Sequence, residues 1–133
     1  MVLVDANVLL DLVTAPNAWS EWSLAHLREA AAAGALVAND VIFAEVSIGF
    51  EDLGEVERVF AEAEVTVSAI PHAALFRAGK AFRDYRRRGG GRTGVLPDFF
   101  IGAHAEVARL RLLTRDASRY RSYFPEVDLI APK

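Results

Sequence analysis

Cysteine is absent from the 133 residues, which excludes disulfides, thiolate metal sites and a cysteine nucleophile, and fits a reducing compartment. The fold therefore rests on packing. No apolar run approaches the ~18 residues a membrane span needs. Met1-Val2-Leu3-Val4-Asp5 offers no basic leader, so a cytoplasmic protein without a membrane segment is expected. Repeats are lacking, and low complexity is confined to an Arg/Gly stretch. The length suits one domain over residues 1–133 with a core of its own. Cations are scarce in the first half: residues 1–67 hold 12 Asp/Glu against Arg28 and Arg58, a net charge of −10. Residues 68–133 reverse this, with 6 Asp/Glu against 13 Lys/Arg, a net of +7, so the second half would attract a polyanion.

What is present reads as short apolar strands alternating with helices. Val2 to Asp5 is a buried strand, and Ala6 to Leu12 a short helix capped by Asp5 or Asn7. Pro16-Asn17 restarts the chain into a helix that reaches Ala33 and stops at Gly34. Ala35 to Asn39 is a second strand. Asp40 is the expected N-cap of a helix from Val41 to Gly49, followed by a helix over Leu53 to Ala63. Val65 to Ile70 is a third strand. Pro71 opens a long helix whose stripe of Leu75, Ala78, Phe82 and Tyr85 faces inward, with Lys80, Arg83 and Arg87 outward. A helix from Pro97 to Leu110, a strand over Arg111 to Thr114 and a short fifth strand at Val127 to Ala131 complete the chain. Such alternation argues for a parallel sheet covered on both faces, with the ligand site beyond the carboxyl ends of its strands.

Four acidic residues fall at apolar seams of this pattern. Asp5 closes Val2-Leu3-Val4, Glu45 interrupts the run from Val41 to Ile48, Asp98 precedes Phe99-Phe100-Ile101, and Asp116 follows Leu112-Leu113-Thr114. Charged side chains are rarely buried singly, so four such placements suggest one shared polar site. Gathered carboxylates repel and raise one another's pKa unless a cation joins them, and a hard divalent cation takes oxygen ligands. Taken one at a time, each has a local alternative. Asp5 is a helix cap, Asp98 answers a helix dipole, and Asp116 starts a turn or caps the Arg119–Tyr123 segment. Glu45 shares a helix face with Val41, Ala44 and Ile48 and has no cation within a turn, which points it at the core or an inner cleft.

The remaining polar residues are more ordinary. Glu51, Asp52, Glu55, Glu57, Glu62 and Glu64 have the density of a solvated helical face, and Asp11 is either helix surface or a support to the site. His26, His72 and His104 lack metal-ligand spacing. Trp19, Trp22, Phe43, Val56 and Phe60 exceed what a small core requires, which suggests a partner or dimer interface. Arg86, Arg87, Arg88 and Arg92, around glycines 89–91, suit a nucleic-acid backbone, although taken alone a solvated helix end is the better explanation.

Four segments in order resemble the PIN-domain ribonucleases, and the whole chain looks like a VapC-type toxin of a toxin–antitoxin pair. They are Val4-Asp5-Ala6-Asn7-Val8-Leu9-Leu10-Asp11, Glu45 in the third helix, Leu96-Pro97-Asp98-Phe99-Phe100-Ile101-Gly102-Ala103-His104-Ala105, and Leu113-Thr114-Arg115-Asp116 followed by Tyr120 and Tyr123-Phe124-Pro125. The resemblance implies a three-layer α/β/α fold around a five-stranded parallel sheet. It also implies Mg²⁺ or Mn²⁺ held by Asp5, Glu45, Asp98 and Asp116, endonucleolytic cleavage of RNA, a homodimer, and a cognate antitoxin whose tail covers the site. The family's usual Thr or Ser after the first Asp is Ala6 here; Asn7 partly substitutes, and Thr114 keeps the hydroxyl near the fourth carboxylate.

The chemistry expected from that set is metal-activated water attacking phosphorus in line, leaving a 5′-phosphate and a 3′-hydroxyl. Two rivals follow from the same residues. A phosphatase of the haloacid-dehalogenase type needs a second Asp two residues after the first, where this chain has Asn7. A weak or inactive module that binds RNA or a partner is the reading that Ala6 keeps open.

Overall fold

The computed structural model describes residues 1–91 and 95–133. Five strands, β1 (Val2–Val4), β2 (Leu36–Asn39), β3 (Val65–Ser68), β4 (Arg111–Leu113) and β5 (Leu129–Ile130), form one sheet in the order β3-β2-β1-β4-β5. Every pairing is parallel, with Leu3 against Val37 on one side and Leu112 on the other. The helices are α1 (Ala6–Val13), α2 (Ser20–Ala33), α3 (Asp40–Ser47), α4 (Leu53–Glu62), α5 (His72–Arg87), α6 (Leu96–Ala108) and α7 (Ser118–Tyr123). Strand order steps from β1 outward to β3 and then returns past β1 to β4. Right-handed crossovers therefore put α1 to α4 on one face and α5 to α7 on the other, a three-layer α/β/α fold. No helix among the described residues is long and apolar enough to cross a membrane.

The central strands are apolar throughout because both faces are covered: Leu3, Val4, Leu112 and Leu113 are fully buried. Val8 and Leu9 of α1, Ile42 and Val46 of α3, and Phe99 and Ile101 of α6 close over them. Each such side chain stabilises the fold by about 2 kcal/mol relative to exposure. Between α5, α6 and the end of α7, Phe82 stacks on Tyr85, and Phe82, Tyr85, Phe99, Tyr123 and Phe124 otherwise meet edge to face or tilted, at centroid distances of 5.3–6.1 Å. Gly102 belongs to this contact: a Cβ there would stand 2.3 Å from the Phe124 ring, so α6 packs on Phe124 through bare backbone.

Several local readings are corrected. The cap of α3 is Asn39 rather than Asp40, because the Asn39 Oδ1 accepts from the Ile42 N–H at 2.9 Å while Asp40 has entered the first turn. The second helix starts at Ser20, since Asn17 spends its side chain on a turn that accepts from the Trp19 N–H at 2.7 Å. Strand β3 stops at Ser68, short of Ile70. On α5 the buried stripe is Ala74, Ala78 and Ala81, and Leu75 is outward; Lys80, Arg83 and Arg87 are exposed as expected. Val56 and Phe60 are core, and Phe43 stacks on Phe60 with centroids 5.1 Å apart, so these three are packing rather than interface. His104 is buried, its Nδ1 within 3.0 Å of the Asn39 amide nitrogen, and burial lowers its pKa.

Candidate functional site

Strand β1 ends at Val4, and the next residue turns the chain into α1. Asp5 caps that helix, its Oδ1 accepting from the Ala6 N–H at 2.8 Å, which is the local role its position allowed. Its other oxygen is committed as well. Oδ2 accepts from the Thr114 hydroxyl at 2.8 Å and from the Tyr120 hydroxyl at 2.9 Å. Burial nonetheless outweighs these donors, and with Asp98 nearby it pushes the Asp5 pKa up to about 6.

The neighbouring strand end supplies the second wall. β4 runs into Thr114, Arg115 and Asp116, and the Thr114 Oγ1 accepts from the Asp116 N–H at 3.1 Å and from the Asn7 amide at 3.2 Å while donating to Asp5. One hydroxyl thus ties the Asp5 carboxylate to the backbone of Asp116. Asn7 closes the ring by accepting from the Arg115 N–H at 3.3 Å.

Glu45 projects from α3 and Asp98 from the first turn of α6, just after Pro97. With Asp5, Ala6, Asn7, Leu10, Thr14, Ile48, Gly49 and Asp116 they line an open cleft of about 480 Å³ at the carboxyl edge of the sheet. Burial, followed by the charges of Asp5 and Asp98, raises the Glu45 pKa to about 7. Burial also raises that of Asp98, opposed by Arg119, whose Nη1 donates to the Asp98 Oδ2 at 2.5 Å. The Tyr120 phenol is driven well above its ordinary range by burial and by Asp5 and Asp98, so it remains a donor.

The structure brings Asp5, Asn7, Glu45, Asp98 and Asp116 to one cleft, with Thr114 directly behind. The helix face expected to carry Glu45 is half right. Glu45 and Ile48 line the cleft, whereas Val41 and Ala44 turn, with Ile48, to a neighbouring apolar pocket shared with Leu96, Pro97 and Phe100; Ile48 is 86% exposed, and the core side of α3 is Ile42 and Val46. Arg86, Arg87 and Arg88 sit at the end of α5, outside the cleft lining; Arg88 lies over the Tyr123 ring at 5.3 Å, and Arg92 is outside the described residues.

Two contacts escaped the sequence. Arg119 on Asp98 and Arg115 on Asp11 span 21 and 104 residues, and no local spacing announces such pairs. Tyr120 entered the sequence reading only as part of a motif, without the hydroxyl contact it makes.

The donor set is entirely hard oxygen, and burial, with a smaller share from neighbouring carboxylates, raises the pKa values of Asp5, Glu45 and Asp98, a cost that a bound divalent cation would offset. Among the described residues no three His, Cys, Asp or Glu side chains stand close enough to enclose a metal ion by themselves. A cation in this cleft would have to complete its coordination with water, since the described side chains form no closed cage around it.

Residues 2–124 match the family model described as PIN domain. A comparison with curated proteins finds no match. Among solved structures the chain is similar to VapBC2 from Rickettsia felis bound to a DNA fragment from their promoter, with 14% identity, a TM-score of 0.75 and 100% of both chains covered. It is similar to VapBC-1 from nontypeable Haemophilus influenzae, with 16% identity, a TM-score of 0.72 and 98% of both chains covered. It also resembles Mycobacterium tuberculosis VapC20, a Sarcin-Ricin loop cleaving toxin, with 13% identity, a TM-score of 0.59, and 92% of this chain and 95% of that one covered. At these identities the likeness is one of fold. The family model, spanning nearly the whole chain, settles the membership: this chain belongs to the PIN domain family.

Proposed function

We propose that the chain is a metal-dependent endoribonuclease and the toxin of a toxin–antitoxin pair. The observation that carries this is the cleft where Asp5, Glu45, Asp98 and Asp116, from four separate segments, face one another with the Asp5 and Glu45 pKa values pushed to about 6 and about 7. A domain without a cation to bind has no use for carboxylates gathered and half buried in one cleft. VapC20, a Sarcin-Ricin loop cleaving toxin, and the VapBC pairs among similar folds support RNA as substrate and an antitoxin as partner. A homodimer in the cytoplasm accords with the same kinship.

Asp5, Glu45, Asp98 and Asp116 would hold Mg²⁺ or Mn²⁺, directly or through water. Bound there, the ion supplies an acidified water and offsets charge on the leaving oxygen. The chain's own residues do the rest. Thr114, Tyr120 and the Ala6 N–H hold both oxygens of Asp5 in a fixed direction. Arg119 orients Asp98 by one oxygen. Glu45, for which no hydrogen-bonded partner is found among the described residues, is the carboxylate left free to accept a proton from the attacking water. Water adds to phosphorus as the bond to the 3′ oxygen breaks, leaving a 5′-phosphate and a 3′-hydroxyl. Arg86, Arg87, Arg88 and Arg92 are assigned to the RNA backbone, and Asn7 and Thr114 to support of the acidic set.

A second reading, a binding module of weak activity, draws on two observations: Ala6 lines the cleft without a hydroxyl, and Arg119 already occupies one oxygen of Asp98. Mapping product ends separates the possibilities. Cleaved RNA with 5′-phosphates, formed only with Mg²⁺ or Mn²⁺, supports hydrolysis at this site. Cyclic phosphates would contradict the mechanism, and RNA binding without cuts would favour the module.

A further inference from the structure

Asp11 lies at the end of α1, away from the cleft lining, yet its side chain is only 2% exposed. A buried carboxylate needs partners, and it has three. Arg115 grips it with two bonds, Nε to Oδ2 at 2.8 Å and Nη2 to Oδ1 at 3.1 Å. The Ser23 hydroxyl of α2 donates to Oδ2 at 2.7 Å, and the Asn17 amide to Oδ1 at 3.4 Å. Trp19 lies under the guanidinium, 5.7 Å from its ring centre to Cζ. A two-pronged Arg–carboxylate pair with one side shielded by an indole is directional in a way that an exposed pair is not.

The direction matters because Arg115 sits between Thr114 and Asp116. Its side chain is anchored to α1 and its N–H is held by Asn7, whose amide in turn bonds the Thr114 hydroxyl. That hydroxyl gives its proton to Asp5 and receives the Asp116 N–H, so its direction is fixed from every side.

We propose that Asp11 and Arg115 are a positioning pair for the site, setting the direction of Asp5 and the backbone placement of Asp116 through Thr114 without touching cation or RNA. This rests on the nuclease reading above. A merely structural ion pair would stabilise the fold and leave the carboxylates' affinity for a cation unchanged. The Arg77–Glu106 pair, at 2.7 Å, partly buried and facing a different pocket, is the internal control for that case.

The test uses the full chain free of any antitoxin, with Mn²⁺ as probe. Mn²⁺ binding is read from the electron spin resonance signal of the free ion, kcat and KM from RNA cleavage, and folding from thermal melting. Asp11→Asn and Arg115→Gln are expected to weaken Mn²⁺ binding and lower kcat by about 10-fold or more, with KM for RNA little changed. Arg115→Lys restores part of the loss, since it keeps charge without the fork. Ser23→Ala, which removes a single bond and folds if the stronger variants do not, weakens Mn²⁺ binding by about threefold. Arg77→Gln lowers the melting temperature and leaves Mn²⁺ binding within about twofold. Variants at Asp11, Arg115 and Ser23 that melt early but bind Mn²⁺ as wild type does would overturn the positioning role alone. Wild-type protein that binds no Mn²⁺, or binds it equally well as Asp98→Asn, would overturn the nuclease reading and this proposal with it.

Discussion

Asp5 is where capping, burial and charge meet in one side chain. Its pKa of about 6 and that of Glu45 at about 7 stand above the ordinary carboxylate range, so the folded state disfavours their charged forms. Stability from these groups is fully present below their unfolded pKa values and is lost as pH rises through the folded ones. Metal-free protein should therefore melt at progressively lower temperature between about pH 4 and pH 7, and added Mg²⁺ should restore the loss above that window. The Asp5 contribution corresponds to about 3 kcal/mol. A melting temperature flat across that range, with and without Mg²⁺, would contradict the raised values. Tyr120→Phe removes a donor that favours charged Asp5, so the pH midpoint of Mn²⁺ binding should move upward, as a titration of Mn²⁺ affinity against pH would record. Asp5 and its companions were legible because a charge at the end of an apolar run is locally anomalous. Arg119 and Arg115 were not, because a surface-type residue in a polar stretch carries no sign of a partner on another element.

Among the elements, α3 carries Glu45 and depends on a cap that the sequence misassigned. Asn39 and Asp40 are both good caps; burial decided between them, since Asn39 is the last residue of β2 and its amide also meets His104. Asn39→Ala should cost about 1–3 kcal/mol in chemical denaturation, through the lost cap and the stranded histidine. On α5 only Leu75 was misplaced, since it fits a helical period as well as the buried Ala74; Ala78, Phe82 and Tyr85 do face the core. Close approach governs Gly102, where Gly102→Ala should destabilise by about 1–3 kcal/mol, measured by the same unfolding curves, because Phe124 must move. At the basic end of α5, replacing Arg86, Arg87 and Arg88 together by Ala should weaken RNA binding. The slope of log affinity against log salt should fall by about 2 if all three meet phosphates of a single strand, and stay unchanged if the end of α5 is only solvated.

Across the whole molecule the two halves divide the work by charge. The acidic half builds β1 to β3 and brings Asp5 and Glu45; the basic half brings α5 to α7 and places Asp98 and Asp116 opposite them. Alternation of strand and helix made this sheet readable from sequence, and the order of four carboxylates made its carboxyl edge the place to look. What stayed hidden was how closed the site is, because that depends on side-chain directions set by Thr114, Tyr120 and Arg119 across the fold. On the proposed function, an acidic cleft repels RNA until a cation enters it, so the account predicts cutting that depends on both metal and carboxylates. The most direct measurement is cleavage of end-labelled total RNA by antitoxin-free protein with Mg²⁺, with Mn²⁺ and with chelator, beside Asp98→Asn. Discrete cuts that need the metal and vanish in the variant are the predicted result. Identical behaviour of wild type and variant in every condition would contradict catalysis at this cleft.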